Sequence, residues 1–77
     1  MEVRLQLYSI LREKLPPEAK GKATLTLEEG TSLAGILAKF DIEHRVIISV
    51  NGIHETDYSR ELHDGDEVKI FSSVGGG

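Results

Sequence analysis

The stretch Gly30-Thr31-Ser32-Leu33-Ala34-Gly35-Ile36-Leu37-Ala38-Lys39-Phe40 decides the fold. Leu33, Ile36, Leu37 and Phe40 recur at i, i+3, i+4 and i+7, which puts them on one face of a helix from Ser32 to about Phe40. Thr31, behind the turn Glu28-Glu29-Gly30, is placed to cap its start. Gly35 weakens the helix by about 1 kcal/mol relative to alanine, and a strand passing close by would account for it. No other segment offers a helix long enough to cover a sheet, so the rest of the chain must supply one sheet for this one apolar face.

Towards the amino terminus, Val3, Leu5 and Leu7 alternate with Glu2, Arg4, Gln6 and Tyr8, the period of a half-buried strand. Ser9 to Leu15 changes to helical spacing and ends at Pro16-Pro17. Lys20-Gly21 turns the chain, and Ala23, Leu25 and Leu27 resume the alternation. Towards the carboxyl terminus, Arg45 to Val50 is rich in β-branched residues and reads as a third strand. Asn51-Gly52 is the strongest hairpin signal in the chain, because both residues tolerate positive φ, and Ile53 to about Glu55 returns as a short strand. Thr56 to Glu61 is irregular, Asp64-Gly65-Asp66 is a tight turn, and Glu67 to Phe71 closes with a final alternating strand. The result is an α+β domain. Its expected core is Val3, Leu5, Leu7, Leu25, Leu27, Leu33, Ile36, Leu37, Phe40, Val46, Ile48, Val50, Leu62, Val68 and Ile70.

After that strand comes Ser72-Ser73-Val74-Gly75-Gly76-Gly77. Three glycines do nothing for stability, since glycine loses the most backbone freedom on ordering. They make a thin thread with a bare carboxylate, and six extended residues reach roughly 20 Å. We therefore divide the chain into a folded unit, 1–71, and a flexible tail, 72–77.

Composition excludes several functions. With 77 residues there is one small domain, and with no cysteine there is no disulfide, thiolate metal site or cysteine nucleophile. A net charge of −4 argues against nucleic-acid binding and suits a partner with a basic docking site. The start is strand-like and not a signal peptide, and no apolar run is long enough for a membrane. A cytoplasmic location is expected.

The ordered set Gly30-Thr31-Ser32-Leu33 with Leu37, Val50-Asn51-Gly52, Leu62 to Val68 and Val74-Gly75-Gly76-Gly77 resembles the ubiquitin-like sulfur carriers of the ThiS and MoaD type. The resemblance implies a β-grasp fold: one mixed sheet of four to five strands with one main helix across one face. It also implies a carrier rather than an enzyme. An ATP-using adenylyltransferase of the ubiquitin-activating type would adenylate Gly77, and a sulfur donor would convert it to a thiocarboxylate, with Gly75 and Gly76 threading the partner's channel. A thiazole synthase of thiamine biosynthesis, or the large subunit of a molybdopterin synthase, would take the sulfur. The carrier itself would bind no cofactor; ATP would bind the partner. The ending Val-Gly-Gly-Gly is similar to the thiazole branch, slightly preferred. Tyr8 and Leu11-Arg12 are more like the molybdopterin-synthase small subunit, although Ser72-Ser73 stands where that subunit usually has Pro-Pro. A protein modifier joined to lysines and a plain β-grasp interaction module complete the alternatives.

Ile47 and Phe71, like Ser49 and Lys69, have the opposite parity from the core residues, so they are expected on an open sheet face, where Ile47 and Phe71 form an apolar docking patch for the activating enzyme near the root of the tail, with Tyr8 at its edge. Glu55, Asp57, Glu61, Asp64, Asp66 and Glu67 form an acidic stretch, read chiefly as turn and solubility residues. His44, His54 and His63 match no metal-ligand spacing.

Overall fold

The computed structural model describes residues 1–72; the expectations for Gly75, Gly76 and Gly77 lie outside the described residues. Five strands form one mixed sheet: β1 (Glu2–Leu7), β2 (Lys22–Thr26), β3 (Val46–Val50), β4 (Ile53–Glu55) and β5 (Glu67–Ser72), in the order β2-β1-β5-β3-β4. The first and last strands lie side by side and parallel at the centre, Leu5 opposite Val68 and Leu7 opposite Ile70. Every other pairing is antiparallel. A single α-helix, α1 (Leu33–Lys39), buries Leu33, Ile36 and Leu37 among the core residues of the sheet. The five-stranded β-grasp arrangement is as expected.

The turns follow from their residues. Asn51 and Gly52 both have positive φ, at 53° and 84°, and so join β3 to β4 as a tight hairpin. At Gly21, φ is +79° and a Cβ would lie 2.5 Å from the carbonyl oxygen of Leu7, so only glycine lets β2 leave the turn against β1.

Four expectations are corrected. The helix cap is Ser32, not Thr31: Ser32 is extended and its Oγ accepts from the Gly35 amide at 3.3 Å, while the Thr31 hydroxyl donates to the Glu28 carbonyl. No strand crowds Gly35; a Cβ there would meet the Thr31 methyl at 3.1 Å, so its smallness serves the cap. The core includes Leu11 and Ile42, whereas Leu27, Phe40 and Val46 are only partly buried against it. Finally, β5 runs to Ser72, one residue past Phe71. The burial of Ile42 has a cause in the helix ending. Asp41 takes φ +54°, its amide donates to the Ala38 carbonyl and that of Ile42 to the Leu37 carbonyl at 2.8 Å, a Schellman ending that turns the next apolar side chain inward.

Candidate functional site

One face of the sheet carries the core; the other has no layer over it among the described residues. The register sorts this open face into transverse rows. Across the middle stand Lys22, Gln6, Lys69, Ser49 and His54, each paired with the next. One row back stand Thr24, Arg4 and Glu67. One row forward, towards the end of β5, Phe71 pairs with Ile47.

Tyr8 completes that forward row. Its extended backbone continues β1 for one residue, and its amide donates to the Ile70 carbonyl at 3.1 Å. Its ring then stacks on Phe71, centroids 4.2 Å apart and planes 12° from parallel. Ser9 follows with φ +54° and swings the chain into a 3₁₀ turn, Ser9–Lys14, over the end of the core. Ile47 is 45% exposed beside the pair. The structure thus brings Tyr8, Ile47 and Phe71 into one apolar patch, one residue from Ser72, the last described position.

The acidic stretch is not brought together. Glu55 pairs with Arg60 at 3.3 Å. Asp57 holds its own turn, accepting from the hydroxyl and the amide of Ser59, and these two bonds keep its carboxyl below the usual aspartate range. Asp64 accepts from the Glu2 amide at 2.7 Å. Asp66 is 93% buried by its 7% exposure, and its oxygens accept from Asn51 Nδ2 at 2.9 Å and the His63 amide at 2.8 Å. Burial alone would raise its pKa; the bonds from Asn51 and His63 outweigh it and hold the carboxyl below its ordinary value. Asn51 in turn accepts from the Glu67 amide at 2.9 Å. Asp66 therefore ties the hairpin to the start of β5. His44 stands edge-on to Tyr58, and among the described residues no cluster of metal-binding side chains forms.

The sequence reading gave Lys69 its place on the open face but missed that other cations stand with it. Arg4, Lys22 and Lys69 share it, and of the 13 carboxylates only Glu2 and Glu67 stand with them. Glu67 lies between Arg4 and Lys69, at 3.8 and 3.9 Å. The alternation of each strand carried this signal, but only the register puts Lys22 and Lys69 in one row with Arg4 one row behind.

Residues 5–77 match the model of the ThiS family. The chain belongs to the ThiS family. Its fold is that of several solved structures. A Pyrococcus furiosus candidate for molybdopterin converting factor subunit 1 superposes with a TM-score of 0.74 at 20% identity, covering 96% of this chain and 99% of that one. Small archaeal modifier protein 1 of Haloferax volcanii gives 0.73 at 12% identity, covering 95% and 98%. The Helicobacter pylori complex of subunits 1 and 2 of molybdopterin-converting factor gives 0.66 at 18%, covering all of both chains. No curated protein matches the chain. The ThiS-family chain is thus a small ubiquitin-like protein of the sulfur-carrier type, a carrier rather than a catalyst. No described helix is long and apolar enough to cross a membrane.

Proposed function

We propose that the carboxyl group of Gly77 is the working group of this ThiS-family protein. An ATP-dependent adenylyltransferase of the ubiquitin-activating type binds the chain and presents ATP; the Gly77 carboxylate attacks the α-phosphorus and displaces pyrophosphate. Hydrosulfide released by a sulfur donor then attacks the acyl carbon and expels AMP, which leaves a terminal thiocarboxylate with no change of oxidation state. A carboxylate is a poor acyl donor until its oxygen leaves with a phosphate, so activation has to come first. The observation that carries this reading is the family match, which extends through Gly77. The protein needs no bound cofactor of its own, because ATP is held by the partner, and it works in the cytoplasm.

Tyr8, Ile47 and Phe71 are the docking patch for that enzyme, with Gly75 and Gly76 threading its channel. The patch is apolar, accessible and close to Ser72, from which the tail continues. Replacing Phe71 with Asp should leave the fold intact and raise the KM of adenylation; an unchanged KM removes the patch from the reading.

The acceptor we favour is a thiazole synthase of thiamine biosynthesis, on the ThiS-family match and the ending Val74-Gly75-Gly76-Gly77. The second reading is the small subunit of a molybdopterin synthase, favoured by Tyr8 and by the 3₁₀ turn with Leu11 and Arg12 between β1 and β2. The test is the intact mass of the chain from its native cell, with the terminal fragment sequenced. We expect a fraction heavier by one oxygen-to-sulfur exchange at Gly77, consumed when thiazole precursors are added to extract. Consumption only with a molybdopterin precursor selects the second reading. Lysine-linked conjugates without a thiocarboxylate indicate a protein modifier, and an unmodified terminus under sulfur and thiamine starvation favours a plain interaction module.

A further inference from the structure

The whole chain is acidic, yet its open face is not. Arg4, Lys22 and Lys69 stand on it against Glu2 and Glu67, and Glu67 is already matched by Arg4 and Lys69. Lys22 is exposed and makes no ion pair among the described residues. In the middle row Lys22 and Lys69 lie two strands apart, on the order of 10 Å, and His54 lies as far again beyond Lys69. The aromatic patch runs parallel to this line, displaced by two residues along β5, on the order of 7 Å. The other eleven of the 13 carboxylates are not open-face strand residues; they belong to loops, turns, short helical segments and the edge strand.

We propose that the open face docks a partner protein whose surface is acidic: an apolar contact opposite Phe71 and Ile47, rimmed by carboxylates opposite Lys22 and Lys69. The proposal rests on the carrier reading for the identity of that partner, the adenylating enzyme, and reverses the charge that the net charge of the chain suggests. Rim charges set encounter rate and orientation, and like charges placed against each other on an interface are costly. The five charged strand residues of the open face sum to +1, so the rest of the chain carries −5, and the face is the side on which an acidic partner meets the least repulsion.

The experiment is pyrophosphate exchange by the adenylating enzyme of the same cell, with the full-length chain as substrate. We expect Lys22→Glu combined with Lys69→Glu to raise KM about tenfold or more at low salt with kcat unchanged, and the difference to shrink as salt screens the rim. Glu28→Lys and Glu61→Lys, in connections beside Thr31 and Ser32 at the start of α1, should leave KM unchanged. Thermal unfolding checks each variant, and Lys22→Glu alone carries the test if Lys69→Glu disturbs its central strand. If Phe71→Asp raises KM while Lys22→Glu and Lys69→Glu leave it unchanged or lower it, the acidic partner is refuted and the carrier reading stands. If none of the three matters, the face is not the docking surface. If the enzyme does not adenylate the wild-type chain, the carrier reading and this proposal fall together.

Discussion

Strand β5 does two jobs with alternate residues. Val68 and Ile70 point into the core and are wholly buried, whereas Lys69 and Phe71 point to the open face and stay partly exposed. Because β5 lies between β1 and β3, its inward residues meet the whole hydrophobic layer and its outward residues sit at the centre of the open face. A slip of one residue would exchange the two sets, burying a lysine and exposing an isoleucine. The contrast between the faces therefore depends on register, and register depends on the groups that hold the start of β5.

The largest break in this contrast should come from Ile70→Ala. It removes three carbons from a site with no solvent contact and should cost about 2–5 kcal/mol, read as a lower midpoint in urea with the slope unchanged. In so small a domain that is a large share of the total stability.

Next in size is Asp66→Ala. It leaves the Asn51 amide and the His63 N–H without their acceptor and removes one of the ties between the hairpin and the start of β5, so about 2–3 kcal/mol should be lost. The same group sets an acid limit. Its folded pKa lies below the unfolded value of about 3.9, so its stabilisation is fully present above that pH. It is lost as pH falls through the lower, folded value. Thermal melts of the wild type should therefore fall below about pH 4 in part because of Asp66, and in Asp66→Ala that part of the slope should disappear. An unchanged slope would show that other carboxylates set the acid limit.

The two faces were unequally legible in the sequence. Alternation alone assigned Val3, Leu5, Leu7, Val68 and Ile70 to the core, because period two is a direct consequence of strand geometry. Asn51-Gly52 located the hairpin, since few residues accept its dihedrals. Leu11 and Ile42 were not legible as core. Leu11 lies in a 3₁₀ turn whose one helical repeat, to Leu15, is too little to define a buried face, and Ile42 is turned inward by a Schellman ending built on Asp41, not on the usual glycine. Thr31 and Ser32 were both good caps by residue type, and only the hydrogen bond to Gly35 separates them. On the open face, the parity of Ile47 and Phe71 was visible and Tyr8 was expected at their edge, but the stacking of its ring on Phe71 required the parallel pairing of β1 and β5. Net charge pointed away from the basic row altogether, because a sum over the chain contains no geometry.

The smallest effect sharpens the contrast most, because it asks whether the open face contributes to the fold at all. Tyr8 and Phe71 stack at 4.2 Å, and their rings lie over no other described layer. Stacked aromatic pairs contribute about 0.5–1.5 kcal/mol beyond the area they bury. Tyr8→Leu, Phe71→Leu and the double variant form a cycle in which leucine keeps much of the apolar surface and removes the ring–ring contact. We expect a stability coupling of about 0.5–1 kcal/mol, measured by urea unfolding at neutral pH. The same cycle on the KM for adenylation should be larger if the partner contacts both rings at once. A coupling near zero in stability together with a large one in KM would make the forward row purely a recognition surface. Near-equal couplings would mean instead that the stack is built to hold the end of β1 on β5, and that the partner reads its rigidity.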